Sequence, residues 1–505
     1  MSASSLVVTT SHSRRVVTLW VGLARRIRGL SRRDGRVLRG LMVPALHHLS
    51  ERLAELVDEH GVPGASVSVL VNGEITDASA GVVNIRTGVK VQPDSPFMIQ
   101  STTKVWTATL VMQLVDDGLV ELDAPVTRYL PGFRTANHQA SSEITIRHLL
   151  THTGGFEGDI WASTSSGEDA LERFVTEHVY RAEQHSEPGR FFSYCSAGVG
   201  VLGRVVEVLR RTTYNQALRR FLTDPLGLDE VVVDVGEAPA YRTAIGHVSA
   251  GPGAPLRPLR TWAVMPPSNP AAGNQLAMSA RGLATFARMH IADGLAPDGT
   301  RLLSVESARR MREPHVDIRP LTDRAGKQGL GWRLTAGPRV VEHGGDAPGC
   351  GSMFRLVPDQ GVAVVALANG GEMSGLFAKL SEELLSDLAG LNAPARRPVP
   401  DIGPVVDGDR YCGRYELRNQ IAEVTIDESG QLWLRKEERN DAVTMATLAG
   451  EDLEPQVWEL RRADGETFVC LDADGRSVGA IEFIETDAEG HARYLHDGRA
   501  APRVV

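Results

Sequence analysis

The stretch Ile99-Gln100-Ser101-Thr102-Thr103-Lys104-Val105-Trp106-Thr107-Ala108-Thr109-Leu110-Val111-Met112 predicts a helix that starts near Ser101, runs to about Asp117 and stops at Gly118. A helix this apolar has no face for water and belongs in a core. The one charge within the stretch is Lys104. Lysine is scarce here: the 505 residues contain five, and arginine carries most of the positive charge. Lys104 follows Ser101 by one helical turn, so the hydroxyl and the amine share a face. A serine needs a base to become a nucleophile, and a lysine can be that base only without its extra proton. Burial against an apolar helix and the positive end of the helix dipole both favour the neutral amine. In the plainer alternative Ser101 caps the helix and Lys104 lies on a solvated face. No other S-x-x-K occurs in the chain, which weighs toward chemistry.

Such a length implies two or three folded units. Hydrophobic residues make up 42% and charged residues 23%, the balance of a globular protein, and the net charge of −9 argues against nucleic-acid and anionic-membrane partners. Cys195, Cys350, Cys412 and Cys470 are widely spaced and form neither a C-x-x-C nor a disulfide framework, as suits a reducing compartment. Nine arginines and one acid fall in the first forty residues. The apolar run Val16 to Ala24 is too short to span a bilayer and is followed at once by Arg25-Arg26. These features predict a basic tail over 1–44 and a cytoplasmic protein.

Ala45 to Asp58 predicts an amphipathic helix. Ala65 to Val71 and Glu74 to Ala80 predict a hairpin turning at Asn72-Gly73. Further helices are expected at Ile144 to Leu150 with Thr145 as cap, at Ala197 to Arg211, at Leu283 to Ala292 and at Leu376 to Leu388. Gly251 to Pro270 reads as an extended loop. A second hairpin, Met353 to Val357 with Val362 to Ala368, closes the region. Hairpins at both ends with helices between predict an α+β fold, an antiparallel sheet flanked by helices, over 45–392. A Pro-rich linker follows over 393–406. In 407–505, Val424 to Ile426, Leu432 to Leu434, Val457 to Leu460, Phe468 to Leu471 and Ala480 to Ile484 alternate with turn dipeptides such as Asp497-Gly498, which predicts an all-β, barrel-like domain.

Chemistry at Ser101 and Lys104 requires a further polar group and backbone donors for a tetrahedral intermediate. Tyr194-Cys195-Ser196 supplies a phenol and a hydroxyl two residues apart, and His343-Gly344-Gly345-Asp346 an imidazole before two glycines that permit close approach. Each is common by itself; their order behind the S-x-x-K gives them weight. His148 and His152 are four apart, but no H-E-x-x-H and no G-x-S-x-G is present, so no metal site and no α/β-hydrolase is expected. Cys195 reads as a small buried filler.

The three motifs resemble those of the serine β-lactamases and penicillin-binding proteins, and the supporting phrases resemble the class C branch. These phrases are Phe97 to Lys104, Leu122 to Val126, Tyr129-Leu130-Pro131, Ile144 to Gly155, Gly329-Leu330-Gly331-Trp332 and His343-Gly344-Gly345, and the resemblance covers about 48–390. It implies an acyl-enzyme on Ser101, with Lys104 and Tyr194 sharing the proton, no cofactor, and an oxyanion hole from the N–H groups of Ser101 and Asp346. Two departures stand out. Ser196 occupies the place of the family's usual asparagine, and His343 that of its usual lysine, where an imidazole would titrate near neutrality.

The family performs several acyl transfers. Thr103 to Thr109, the third-motif histidine and the following β module look like the penicillin-binding-protein-type thioesterases, which release and cyclise nonribosomal peptides and carry a lipocalin-like domain. The expected substrate is therefore a peptide thioester or ester, as a small molecule or on a carrier protein. The alternatives are a general esterase, D-aminopeptidase or β-lactamase-like hydrolase, and a non-catalytic binding protein on the same fold.

Overall fold

The computed structural model describes residues 44–251, 253–318, 326–335, 339–392, 399–400 and 405–504. The expected basic tail, up to residue 43, and most of the Pro-rich linker lie outside the described residues. Ser50–Val505 forms one compact unit.

Its first half is built on an eight-stranded antiparallel sheet. The strands are β1 (Gly64–Val71), β2 (Glu74–Gly81), β3 (Val316–Ile318), β4 (Gly326–Gln328), β5 (Arg333–Thr335), β6 (Val340–Ala347), β7 (Cys350–Val357) and β8 (Val362–Ala368). They lie in the order β2-β1-β8-β7-β6-β5-β4-β3. Asn72 and Gly73 both have positive φ (52° and 86°), the type I′ geometry that asparagine and glycine favour. Ala65 of β1 lies opposite Ala368 of β8, so the two hairpins legible in the sequence join at the middle of the sheet. β3, β4 and β5 extend it beyond what the sequence suggested.

The helices that matter here are α1 (Leu49–Glu59), α2 (Thr103–Asp116), α3 (Ser196–Arg210), α4 (Ala280–Ile291) and α5 (Met373–Ala389). β8 is buried along its whole length, with α4 and α5 packed against it, which accounts for its unbroken apolar run. The helix expected from Leu283 starts three residues earlier, because the Ser279 hydroxyl accepts the Gly282 amide at 3.1 Å. Thr145 caps its short helix as expected, receiving the His148 amide at 3.2 Å. The expected loop Gly251 to Pro270 is interrupted by a short strand, Arg257–Pro258, paired with His247–Val248.

α2 is buried from Thr103 to Leu114. The Trp106 ring stacks on Phe286 of α4 with centroids 3.7 Å apart, and α3 lies alongside. Gly331, at φ +84°, presses on α2 so closely that a Cβ there would sit 2.4 Å from the Ala108 Cβ. Only glycine satisfies both the dihedral and the contact.

The second half is a closed barrel of eight antiparallel strands: β9 (Gly413–Leu417), β10 (Gln420–Ile426), β11 (Leu432–Glu438), β12 (Gln456–Asp464), β13 (Thr467–Leu471), β14 (Ser477–Thr486), β15 (Ala492–His496) and β16 (Ala500–Val504). Tyr411, Tyr415, Phe468 and Phe483 are buried together inside it. A helix, α6 (Asp441–Ala449), interrupts the β11–β12 connection and buries Met445 and Ala449 against Val248, Leu259 and Val264 of the first half. No helix among the described residues is long and apolar enough to cross a membrane.

Replacing Gly331 by alanine should destabilise the fold by about 2–4 kcal/mol, through positive-φ strain together with overpacking. The measure is the denaturation midpoint; an unchanged midpoint would show that the Gly331 turn does not clamp α2.

Candidate active site

The turn that carries Ser101 is a single 3₁₀ turn, Gln100–Thr102, leading directly into α2. Gln100 is buried at a positive φ of 48°, unusual for a residue with a Cβ. β6 passes directly over this turn. A Cβ on Gly345 would lie 2.1 Å from the Ile99 carbonyl oxygen, so the second glycine of the His-Gly-Gly phrase is what lets strand and turn touch. Ser352 of β7 pins the same turn, its hydroxyl donating to the Ile99 carbonyl at 2.8 Å.

Lys104 is 3% exposed. Its Nζ donates to Ser101 Oγ at 2.9 Å and to the Ala272 carbonyl at 3.0 Å. The solvated-face alternative is thereby removed, as is the capping one: Thr102 occupies the N-cap position of α2 and no side-chain capping bond is made. Lys104 Nζ lies 5.0 Å from the centroid of the Tyr194 ring. The Tyr194 ring lies 6.4 Å from that of His343, and Ser196 heads α3 on the same cavity wall. Gly344, Gly345 and Asp346 follow His343 along β6 and also line the cavity. All eight residues singled out in the sequence therefore meet around one cavity.

One expectation needs correction. His343 was expected to titrate near neutrality. Burial among the cavity walls, with the Arg333 guanidinium nearby, holds its pKa down to about 3, so the ring is neutral. Its Nδ1 lies 2.7 Å from the Gly344 carbonyl; a neutral ring donates from that nitrogen and leaves Nε2 as an acceptor. Cys195 is a small buried filler as expected, and its Sγ also accepts the Gly198 amide at 3.3 Å and so caps α3. His148 and His152 do not act as a pair. His148 closes the Thr145 capping box, while Nδ1 of His152 accepts the Cys195 amide at 3.2 Å and its ring lies 4.6 Å from that of Tyr194. Burial pushes the His152 pKa well down, so this ring too is neutral. Among the described residues no group of three or more His, Cys, Asp or Glu side chains is arranged to hold a metal ion.

Other site residues escaped sequence reasoning because they come from the barrel. The cavity measures about 1330 Å³, and its walls include Met445 and Ala446 of α6 and the turn Asp497-Gly498-Arg499 between β15 and β16. Arg499 pairs with Asp159 (Nη2 to Oδ1, 3.2 Å), and its guanidinium lies 5.2 Å from the centroid of the Tyr194 ring. Burial raises the Asp159 carboxyl, and Arg499 offsets part of that rise. The segment from Glu157 to Trp161 is gripped by the barrel at three points. Glu157 accepts the Arg418 amide at 2.8 Å, Asn419 donates to the Asp159 carbonyl at 2.7 Å, and the Trp161 amide donates to Asp441 at 3.2 Å. The only trace of this in the sequence was the turn dipeptide Asp497-Gly498.

The Beta-lactamase family profile matches residues 49–386. Penicillin-binding protein 4 of Amycolatopsis lactamdurans is 40% identical over 372 residues, which make up 73% of this chain and 97% of that protein. Among solved structures, SurE is 26% identical with a TM-score of 0.75, covering 92% of this chain and 100% of SurE, a share too large to exclude the barrel. SurE has also been solved with D-Leu. The octameric penicillin-binding protein homologue from Pyrococcus abyssi shares the fold, with a TM-score of 0.59 at 20% identity over 87% of this chain and 96% of its own.

If His343 is neutral as described, histidine-selective NMR of the whole protein should find its ring protonated on Nδ1 alone from pH 8 down to pH 5. A titration midpoint between those limits would refute the assignment.

Proposed function

This chain belongs to the β-lactamase family and is a serine hydrolase or acyltransferase; on that premise we propose that it forms an acyl-enzyme on Ser101 from a peptide thioester or ester and passes the acyl group to an amine or to water. The observation that carries the reading is the 2.9 Å contact between Lys104 Nζ and Ser101 Oγ inside a cavity walled by both halves of the molecule. Oγ attacks the acyl carbon while its proton passes to Nζ. The tetrahedral intermediate collapses, the C–S or C–O bond breaks, and the thiol or alcohol leaves with a proton returned through Lys104 or Tyr194. The incoming amine then loses a proton by the same route and releases Ser101. The N–H groups of Ser101 and Asp346 serve as the oxyanion hole, each worth roughly 2.7–4 kcal/mol of barrier. The contact between β6 and the Ile99–Gln100 backbone supports that assignment.

The substrate class rests on three supports. The cavity has room for a peptide rather than a single small acyl group. The likeness to SurE spans the barrel as well as the catalytic half, and SurE has been solved with a D-amino acid. The neutral His343 removes a positive charge where the family's lysine would stand and leaves the Arg333 guanidinium as the cation near it on the cavity wall. A D-configured residue at the acyl end and a neutral thiol or alcohol leaving group fit these features. Delivery on a carrier protein is compatible with them.

A peptide thioester ending in a D-residue, a p-nitrophenyl ester and a chromogenic cephalosporin should be assayed side by side. The thioester is expected to turn over best and to leave an acyl adduct on Ser101 detectable by mass spectrometry. Turnover of the cephalosporin alone would eliminate the thioester reading, and silence on all three without an adduct would favour a binding protein. Lys104→Met should slow acylation by about 10²–10⁴-fold, the usual contribution of a positioned base.

A further inference from the structure

The segment that carries Tyr194 does not stand on its own half of the molecule. The Phe192 carbonyl lies 2.7 Å from Nε2 of His496, the Tyr194 amide donates to the Gly498 carbonyl at 2.8 Å, and the Ala500 amide donates to Ser193 Oγ at 3.1 Å. Phe192 to Tyr194 is thus laid along the β15–β16 turn of the barrel. The position of the phenol follows the position of that turn.

What holds the turn is a row of alternating charges. Asp497, in the turn, is ion-paired with Lys436 of β11. The Lys436 side chain is 11% exposed and that of Asp497 20% exposed. β11 pairs with β10 and β12, and β15 with β14 and β16, so this bridge joins strands that are not neighbours. Two residues on, Arg499 extends the row to Asp159 in the catalytic half. Burial alone would raise the Asp497 carboxyl, but Lys436, with Arg499, outweighs it and keeps the carboxylate charged. A carboxylate enclosed between two cations has few other places to go. The Lys436 ammonium also sits 5.6 Å from the Trp458 ring, which further restricts it.

We propose that Lys436 and Asp497 are positioning residues for Tyr194: by fixing the β15–β16 turn they set the phenol against Lys104 and Ser101, so the barrel is part of the catalytic apparatus. The proposal rests on the reading of Ser101, Lys104 and Tyr194 given above. Neither residue touches the reacting atoms; they act through Gly498, Arg499 and the Tyr194 backbone. One of the chain's five lysines thereby acquires a role in the geometry of another.

The test uses the full chain and reads the rate of Ser101 acylation by a p-nitrophenyl ester, together with KM and the thermal midpoint. Lys436→Met should lower kcat by about 10²-fold, the loss expected from a displacement near 1 Å. KM should change much less than kcat, within about threefold, because Lys436 itself does not line the cavity. Lys436→Arg, which keeps the charge, should recover most of the rate. The double variant Lys436→Met/Asp497→Asn leaves no orphan charge and should fold normally yet remain slow. It carries the test if Lys436→Met alone does not fold, and Ser193→Ala, which loosens the same seam without touching a charge, should then show a smaller loss of the same kind. A double variant that folds and acylates at the wild-type rate, or a loss confined to KM, would overturn the positioning role. Failure of the wild-type protein to form any Ser101 adduct would instead overturn the underlying reading of the site.

Discussion

Everything in the catalytic half serves to keep one amine out of water and against one hydroxyl. Lys104 Nζ has Ser101 Oγ at 2.9 Å and the Ala272 carbonyl at 3.0 Å, and burying such a group is costly unless its donors are met. That arrangement needs a helix with no wet side, which in turn needs cover all round. Phe286 supplies part of it by stacking on Trp106, and Gly331 supplies part by admitting a backbone where no side chain fits. The apolar composition of α2, so conspicuous in the sequence, is the price of a dry amine.

Much of this could be read from the chain itself, for identifiable reasons. Ser101 and Lys104 were legible because helical spacing alone puts them on one face. The two hairpins were legible because Asn72-Gly73 and Pro358 to Gly361 mark tight turns, and their union into one sheet followed from finding strands only at the ends. β3, β4 and β5 are three residues each and carry no periodicity to detect. β16 escaped notice because Pro502 sits within it, a residue that argues against a strand unless the pairing spares its missing N–H. α6 was missed because its neighbours read as strands and turns and its nine residues are too few to stand out.

The site shows the same division. Residues from one motif or from a single glycine-marked strand were found, and those contributed across the interface were not. Arg499 and Asp159 are 340 positions apart, and nothing local announces that they meet. The protonation of His343 was also misjudged, because an imidazole's ordinary range says nothing of the burial, or of the nearby Arg333 guanidinium, that folding brings to it. The match to penicillin-binding protein 4 covers 73% of this chain and that to SurE 92%, so likeness at the motifs and likeness across the barrel are separate facts.

The aromatic rings packed within the barrel have a mechanical consequence. Tyr411, Tyr415, Phe468 and Phe483 are buried together inside the barrel, and their packing makes it a stiff strut. The β9–β10 turn, α6 and the β15–β16 turn are fixed to this one stiff body. With the Lys436–Asp497 pair intact these segments are held to one body, so admitting a bulkier guest would strain the seams with the neighbouring half together.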